Sequence, residues 1–166
     1  VKLEEQAAKS RIIEIEKNMQ KIKIGIIDLP TFYIDFSAWR NRDPNFRSSS
    51  KDVETILTQF NNQDVEGVLL DLRGNSGGSL YEANKLIGLF VSSGATLQVK
   101  ESNGNIRPWG DITAKHLWKK PLAVMVDRYS ASASEIFAGA IQDYQRGIII
   151  GQKTFGKGTV QKLDDL

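Results

Sequence analysis

The sequence predicts an α/β fold with a mostly parallel sheet covered by helices. Short apolar runs with the composition of buried strands recur along the chain, most clearly at residues 67–72, 122–126 and 147–151. Segments with apolar residues at helical spacing lie between them. This alternation of buried strands and amphipathic helices is typical of parallel sheets with helices packed on them.

Length and composition are those of one globular domain. The chain has 166 residues, of which 40% are hydrophobic and 25% are charged, and this is enough for a core of ordinary size. The net charge of +2, without a basic block, gives no reason to expect nucleic acid or a membrane surface as a partner. Because cysteine is absent, thiol catalysis, disulfides and thiolate metal sites are excluded.

The first part of the chain predicts two strands, an extended segment, a loop and a helix. Residues 12–15 and 21–27 alternate in polarity and predict strands joined by a polar turn. Residues 31–36 predict an extended piece, and the polar residues 38–50 predict a loop. Apolar residues at helical spacing follow, and we expect Ser50 to cap that helix.

The rest of the chain follows the same alternation. A glycine-rich turn at residues 73–78 leads into a helix predicted over residues 80–90, and a strand at 96–100 ends at the Asn-Gly turn signal of residues 103–104. The stretch from there to the strand at 122–126 carries no clear pattern.

Three turns follow predicted buried strands, where sites form in open α/β sheets. The second of them, the serine-rich turn at residues 129–134, joins a strand to a helix, so its small residues allow a sharp bend beside free helix N–H groups. A serine exposed there has the geometry of an acyl-transfer nucleophile. On this turn alone, Ser130 or Ser132 acting as a helix cap is the simpler interpretation. The spacing does not choose among Ser130, Ser132 and Ser134.

The glycine-rich turn is expected to supply backbone donors. Its sequence, Gly74-Asn-Ser-Gly-Gly78, is similar to the nucleophile loop of chymotrypsin-like proteases, with Asn in place of Asp. That family is all-β and needs a histidine base, so we do not expect Ser76 to be a nucleophile. Paired glycines let a backbone close on a negative oxygen.

The third turn, at residues 151–159, has two interpretations. It nearly fits the P-loop pattern of nucleotide-binding proteins, but Gly158 stands where the pattern requires Ser or Thr, and β-prone residues follow where a helix should begin. Alternatively, Lys157 is the base of a Ser-Lys pair, because the single histidine, His116, lies in an unpatterned, lysine-rich stretch. A lysine base must be neutral, and apolar neighbours favour the neutral form. A loop lysine in water is an equally good interpretation.

Taken jointly and in order, these motifs resemble the carboxy-terminal processing, or tail-specific, serine peptidases. The resemblance covers most of the chain, and its segments are residues 25–33, 71–78, 130–137, 142–144 and 154–161. It implies a crotonase-like α/β core with a Ser-Lys mechanism that needs no metal or cofactor. The family nucleophile is the middle serine of the Ser-Ala-Ser-Ala-Ser run, here Ser132. Its base is the lysine of the Phe-Gly-Lys-Gly motif, here Lys157, and a glutamine four residues on, here Gln161, orients that lysine.

For the oxyanion hole, the resemblance implies the backbone N–H groups of Gly78 and Ala133, with Gly77 as the alternative to Gly78. Two other functions stay open. One is a crotonase-like domain that binds a peptide or acyl group without cleaving it, and the other is a P-loop nucleotide binder.

The resemblance also sets expectations for the whole protein. Family members usually carry a PDZ-like domain, so residues 1–20 are expected to be a linker or remnant of a preceding domain, and residues 21–166 a catalytic core truncated at its C-terminus. The implied substrates are unfolded or C-terminally tagged proteins, not nucleic acid. A bacterial periplasmic or cell-envelope location is implied, while membrane association, an adaptor and homo-oligomers stay open.

Overall fold

The structure, a computed structural model, describes residues 6–111 and 115–158. The strands are β1 (Lys9–Lys17), β2 (Gln20–Asp28), β3 (Gly67–Asp71), β4 (Ala95–Lys100), β5 (Ile106–Asp111), β6 (Leu122–Val126) and β7 (Ile148–Gly151). The helices are α1 (Phe36–Arg40), α2 (Ser49–Asn62), α3 (Leu80–Ile87) and α4 (Ala133–Asp143).

The main sheet has five strands in the order β1-β2-β3-β6-β7. β2, β3, β6 and β7 are parallel, and β1 pairs antiparallel with β2. β4 and β5 form a separate antiparallel hairpin. The α/β fold with a mostly parallel sheet and packed helices is therefore confirmed.

The core lies between one face of the main sheet and helices α2, α3 and α4. Leu70 of β3 and Val124 of β6 pair on this face and are fully buried. Gly25 of β2 leaves room for the ring of Phe60 from α2, because a Cβ atom there would lie 2.2 Å from that ring. The opposite face exposes apolar side chains, namely Ile13, Ile15, Ile148 and Ile150.

Two predicted boundaries shift for local reasons. The chain becomes helical at Phe36, inside the segment predicted to be extended, because the side chain of Asp35 accepts the N–H of Ala38 and caps α1. α2 begins two residues earlier than the predicted Ser50 cap, and Ser48 is its N-cap residue. The buried carboxylate of Glu82 accepts the Ser50 N–H at 2.7 Å and so satisfies that first-turn donor from a neighbouring helix.

β1 lies within residues 1–20, yet it is a full member of the sheet. It pairs with β2 along its whole length, from Lys9 opposite Asp28 to Lys17 opposite Gln20. The boundary expected at residue 20 therefore falls inside a hairpin. The origin of the first residues as the remnant of a PDZ-like domain stays a prediction.

Candidate active site

The three turns singled out in the sequence meet at the carboxyl ends of β3, β6 and β7. Ala131 of the serine-rich turn donates its N–H to the carbonyl of Asn75 in the glycine-rich turn, at 3.0 Å. Phe155 of the third turn donates its N–H to the carbonyl of Ser130, also at 3.0 Å. Direct backbone hydrogen bonds thus hold all three turns together.

Ser132 occupies the bend between β6 and α4. It is the N-cap residue of α4, so the predicted cap position is real. Its backbone angles, φ 56° and ψ −115°, are not the extended values of an ordinary N-cap. A non-glycine residue in this region is strained, and a strained serine on a strand-to-helix turn is the geometry of a nucleophile elbow.

The three serines of the turn have different environments. Ser130 is fully buried and donates its hydroxyl to the Leu72 carbonyl at 2.8 Å. Ser134 is fully buried and donates to the Asn75 carbonyl at 2.9 Å. Ser132 is half-buried. Ser130 and Ser134 therefore have structural roles, and Ser132 is the partly exposed serine of the turn.

The glycine-rich turn lies directly against Ser132. Gly77 and Gly78 have φ values of 110° and 138°, and a Cβ atom on Gly77 would be 2.9 Å from the Cβ of Ser132. Gly77 donates its N–H to the side chain of Asn75 at 2.8 Å. Within residues 6–111 and 115–158, the N–H groups of Gly78 and Ala133 have no hydrogen-bond acceptor. These two groups, rather than Gly77, are the donors left beside the serine.

Glu135 joins the serine-rich turn to the lysine-bearing turn. Its carboxylate accepts the backbone N–H groups of Ser132 at 2.9 Å, Gly156 at 2.7 Å and Lys157 at 2.9 Å. Partial burial opposes ionisation of Glu135, but hydrogen bonds from Thr154 and from these N–H groups outweigh it and hold the pKa of this carboxyl below its ordinary value. The carboxylate is therefore charged at neutral pH.

Asp127 joins the glycine-rich turn to the serine-rich turn in the same way. Its Oδ1 accepts the N–H groups of Gly74 at 3.0 Å, Tyr129 at 2.9 Å and Ser130 at 3.1 Å. The bond from Gly74 contributes most to a pKa below the ordinary value for this carboxyl, and the bonds from Tyr129 and Ser130 add to it against the opposing effect of burial.

Sequence reasoning missed Asn75, Asp127 and Glu135. One signal was present for Glu135, because a serine followed by glutamate three residues later is a capping-box spacing. Asn75 Nδ2 donates to the carbonyl of Leu29, 46 residues away, and Asp127 accepts the N–H of Gly74, 53 residues away. No local spacing reveals partners this distant, although Asp127 also accepts the nearby N–H groups of Tyr129 and Ser130.

The other predicted residues are placed as follows. Lys157 is exposed rather than buried among apolar side chains, and its neighbour Phe155 is 67% exposed. Ser76 is exposed in the glycine-rich turn. His116 bonds through its backbone to Gly88, after α3, and is not part of the three turns. Gln161 lies outside the described residues.

Three further observations concern other possible functions. After β7, residues 152–158 form no helix, and the residues after Gly158, where the helix of a P-loop would lie, are outside the described residues. In the part of the chain that the structure describes, no group of three or more His, Cys, Asp or Glu side chains could hold a metal ion. In the same part, no helix is long and apolar enough to cross a membrane.

An accessible serine on a strained elbow, beside two backbone N–H groups without acceptors, is the arrangement of a serine hydrolase. Comparison with known proteins identifies a family within the serine hydrolases. The family model described as peptidase family S41 matches residues 23–166. The chain belongs to this family.

Individual relatives agree with that assignment. The tail-specific protease of Haemophilus influenzae is 46% identical over 100% of this chain and 21% of its own length. The carboxy-terminal processing protease CtpB of Bacillus subtilis is 32% identical over 89% of this chain and 28% of its own. The solved structure of a photosystem II D1 C-terminal processing protease superposes with a TM-score of 0.78 at 29% identity, over 96% of this chain and 39% of the other. The chain thus spans between about a fifth and two fifths of these relatives.

Proposed function

We propose that this chain is the catalytic core of a serine endopeptidase that cleaves protein substrates near their carboxyl terminus by a Ser-Lys mechanism. Ser132 Oγ attacks the peptide carbonyl while neutral Lys157 takes its proton. The N–H groups of Gly78 and Ala133 hold the oxyanion of the tetrahedral intermediate. Lys157 then gives the proton to the leaving amine, and water attacks the acyl-enzyme to release the shortened product and free Ser132.

The observation that carries the proposal is the elbow at Ser132 with two unoccupied N–H donors beside it. Such donors are preorganised, because the backbone is fixed before substrate binds, and each is typically worth about 3–4 kcal/mol in the transition state. Gly77 cannot serve equally well, since its N–H already bonds to Asn75.

The role of Lys157 is supported by its backbone. Glu135 accepts the N–H groups of both Ser132 and Lys157, so one carboxylate fixes the start of the nucleophile's helix and the turn that carries the proposed base. The Lys157 side chain is exposed, and the proposal requires it to approach Ser132 and lose its proton when substrate excludes water. Gln161 is proposed to orient the Lys157 amine in that state.

The wider context of this activity is also proposed, from membership in the family. We propose a crotonase-like core, substrates that are unfolded or carry a C-terminal tag, and a location in the bacterial cell envelope. The relatives that support this are a tail-specific protease and C-terminal processing proteases. Adaptor proteins, self-association and membrane contact are left to experiment.

Turnover of an unfolded protein by the full-length protein tests the mechanism. Ser132→Ala and Lys157→Ala should each abolish cleavage and leave folding intact, while Ser76→Ala, in the neighbouring turn, should retain it. If Ser132→Ala still cleaves the substrate and Ser76→Ala does not, the nucleophile is Ser76 in the glycine-rich turn.

A further inference from the structure

A groove lies between the β4–β5 hairpin and the C-terminal end of α4. Its volume is about 510 Å³, and it is lined by residues 95–98 of β4 and by Ala140, Asp143 and the C-cap residue Tyr144. The hydroxyl of Tyr144 donates to the carbonyl of Ala95 at 2.8 Å, so the hairpin is fixed to the helix. Residues 142–144 belong to the sequence motifs, yet none of them takes part in the proposed mechanism.

The groove borders a free edge of β4. In residues 6–111 and 115–158, β4 pairs with β5 and with no other strand. Four consecutive residues of β4 line the groove, and successive side chains of a strand point to opposite faces, so the groove follows the edge of the strand rather than one face. An edge strand presents backbone N–H and C=O groups with which another extended chain can pair.

The helix side of the groove is negative. Asp143 is exposed and is the last residue of α4, whose last turn carries no basic residue, and the C-terminal end of a helix is itself partly negative. Among the described residues, Asp143 takes part in no ion pair. The guanidinium of the nearby Arg146 bonds instead to the carbonyls of Phe90, Trp118 and Lys120. A cation in the groove is therefore favoured.

Resting on the peptidase function proposed above, we propose that an extended segment of an unfolded protein substrate adds to the free edge of β4 and places a lysine or arginine side chain against Asp143. An unfolded chain is a suitable occupant because its backbone donors and acceptors are not yet paired. α4 has 11 residues, so its two ends are about 16 Å apart. An extended chain covers that length in about five residues, so one substrate can occupy the groove and still reach Ser132.

The test is a binding measurement that does not depend on turnover. In full-length protein carrying Ser132→Ala, fluorescence anisotropy compares labelled octapeptides of alternating threonine and valine that differ only in a central lysine or glutamate. The lysine peptide should bind about three- to tenfold more tightly, as expected when an exposed ion pair replaces a like-charge contact. N-methylation of two adjacent residues, one facing each edge of the peptide, should weaken binding about tenfold or more, because backbone hydrogen bonds are lost.

Two matched variants locate the charge that the peptide contacts. Asp143→Asn should reduce the lysine preference to nearly one. Asp64→Asn is the control, because Asp64 is an exposed carboxylate just beyond the C-terminal end of α2, and it should leave the preference unchanged. Equal binding of the lysine and glutamate peptides, a preference that survives Asp143→Asn, or full binding of the N-methylated peptide would overturn the proposal.

Competition identifies the occupant. An unlabelled unfolded protein substrate should displace the lysine peptide, and failure to displace it would overturn the assignment of the groove to substrates. A dimer of the full-length protein that the lysine peptide dissociates would assign the edge to a second copy and would also overturn it.

Cleavage by the protein with Ser132 intact separates this proposal from the peptidase function. If peptide binding depends on Asp143 and on the peptide N–H groups but no unfolded protein is cleaved, the groove stands as a peptide-binding site and the peptidase function falls. If cleavage depends on Ser132 but binding depends on neither feature, the groove proposal falls and the peptidase function stands.

Discussion

At Ser132 the main chain holds a conformation that costs about 1–3 kcal/mol for a non-glycine residue. The surrounding hydrogen bonds offset this cost. Glu135 accepts the Ser132 N–H, and Ala131 is tied to Asn75 on the other side of the bend. The strain thus falls on Ser132, the proposed nucleophile, while Ser130 and Ser134 on either side are fully buried.

The flanking and central serines should therefore respond differently to the same substitution. Ser130→Ala leaves the Leu72 carbonyl and the Asp127 N–H without the buried hydroxyl that bonds to both, so we expect a loss of about 1–3 kcal/mol in the free energy of unfolding. Ser132→Ala should cost less than Ser130→Ala, because Ser132 is half-buried whereas Ser130 is fully buried. Urea unfolding of the two variants measures this, and equal losses would contradict the assignment of roles.

At the scale of elements, α4 is fixed by an aromatic cluster made of Phe32, Phe90 and Phe137. Phe137, on the first turns of α4, packs edge-on against Phe90 with ring centroids 5.8 Å apart, and lies 6.4 Å from the ring of Phe32. Phe32 bridges to Gly78 in the glycine-rich turn. One buried cluster thus supports both the helix after the proposed nucleophile, Ser132, and the turn with the proposed oxyanion donor, Gly78.

Phe137→Ala should therefore lower the catalytic activity as well as the stability. Because Phe137 is fully buried, its truncation should cost about 3–5 kcal/mol in the free energy of unfolding. At a temperature where the variant is still folded, kcat should also fall. Ile148→Ala, at a position 63% exposed on β7, is the control and should change neither quantity appreciably. A fully active Phe137→Ala would show that the cluster does not position the site.

At the scale of the whole molecule, two charged carboxylates stabilise the arrangement of the turns, and this makes the fold sensitive to acid. The pKa values of Asp127 and Glu135 both lie below their ordinary values in the folded protein. Each group therefore adds stability above its unfolded pKa, and that stability is lost as pH falls through the folded pKa.

The expected result is a change in the slope of stability against pH. Between about pH 6 and about pH 3, the free energy of unfolding of the wild type should fall more steeply than that of the Asp127→Asn, Glu135→Gln double variant. Glu54→Gln, which removes an exposed partner of Lys115, is the control and should keep the wild-type slope. Identical slopes for the wild type and the double variant would contradict the role of these two carboxylates.

The sequence predicted those elements whose structure is determined by residues close together in the chain. Buried strands such as β3 and β6 appear as apolar runs, and α2 as apolar residues at helical spacing. α1 was missed because its signal is a single cap at Asp35, and β5 because the segment around Trp109 lacks a clear alternation. The partners of Ser130 and Ser134 lie 58 and 59 residues away in the chain, so spacing could not tell which serine was exposed. Resemblance to a family pointed to Ser132 as the nucleophile, and that role stays a prediction; the structure shows the residue half-buried and in a strained conformation.

The most direct test of the central claim is covalent labelling of the full-length protein with a fluorophosphonate, followed by peptide mass spectrometry. This reagent modifies serines that are activated as nucleophiles. We predict one adduct, on Ser132, which persists in Ser76→Ala and is lost in Lys157→Ala. An adduct on Ser76, or no adduct on Ser132 in protein that cleaves its substrate, would contradict the assignment of Ser132 as the nucleophile.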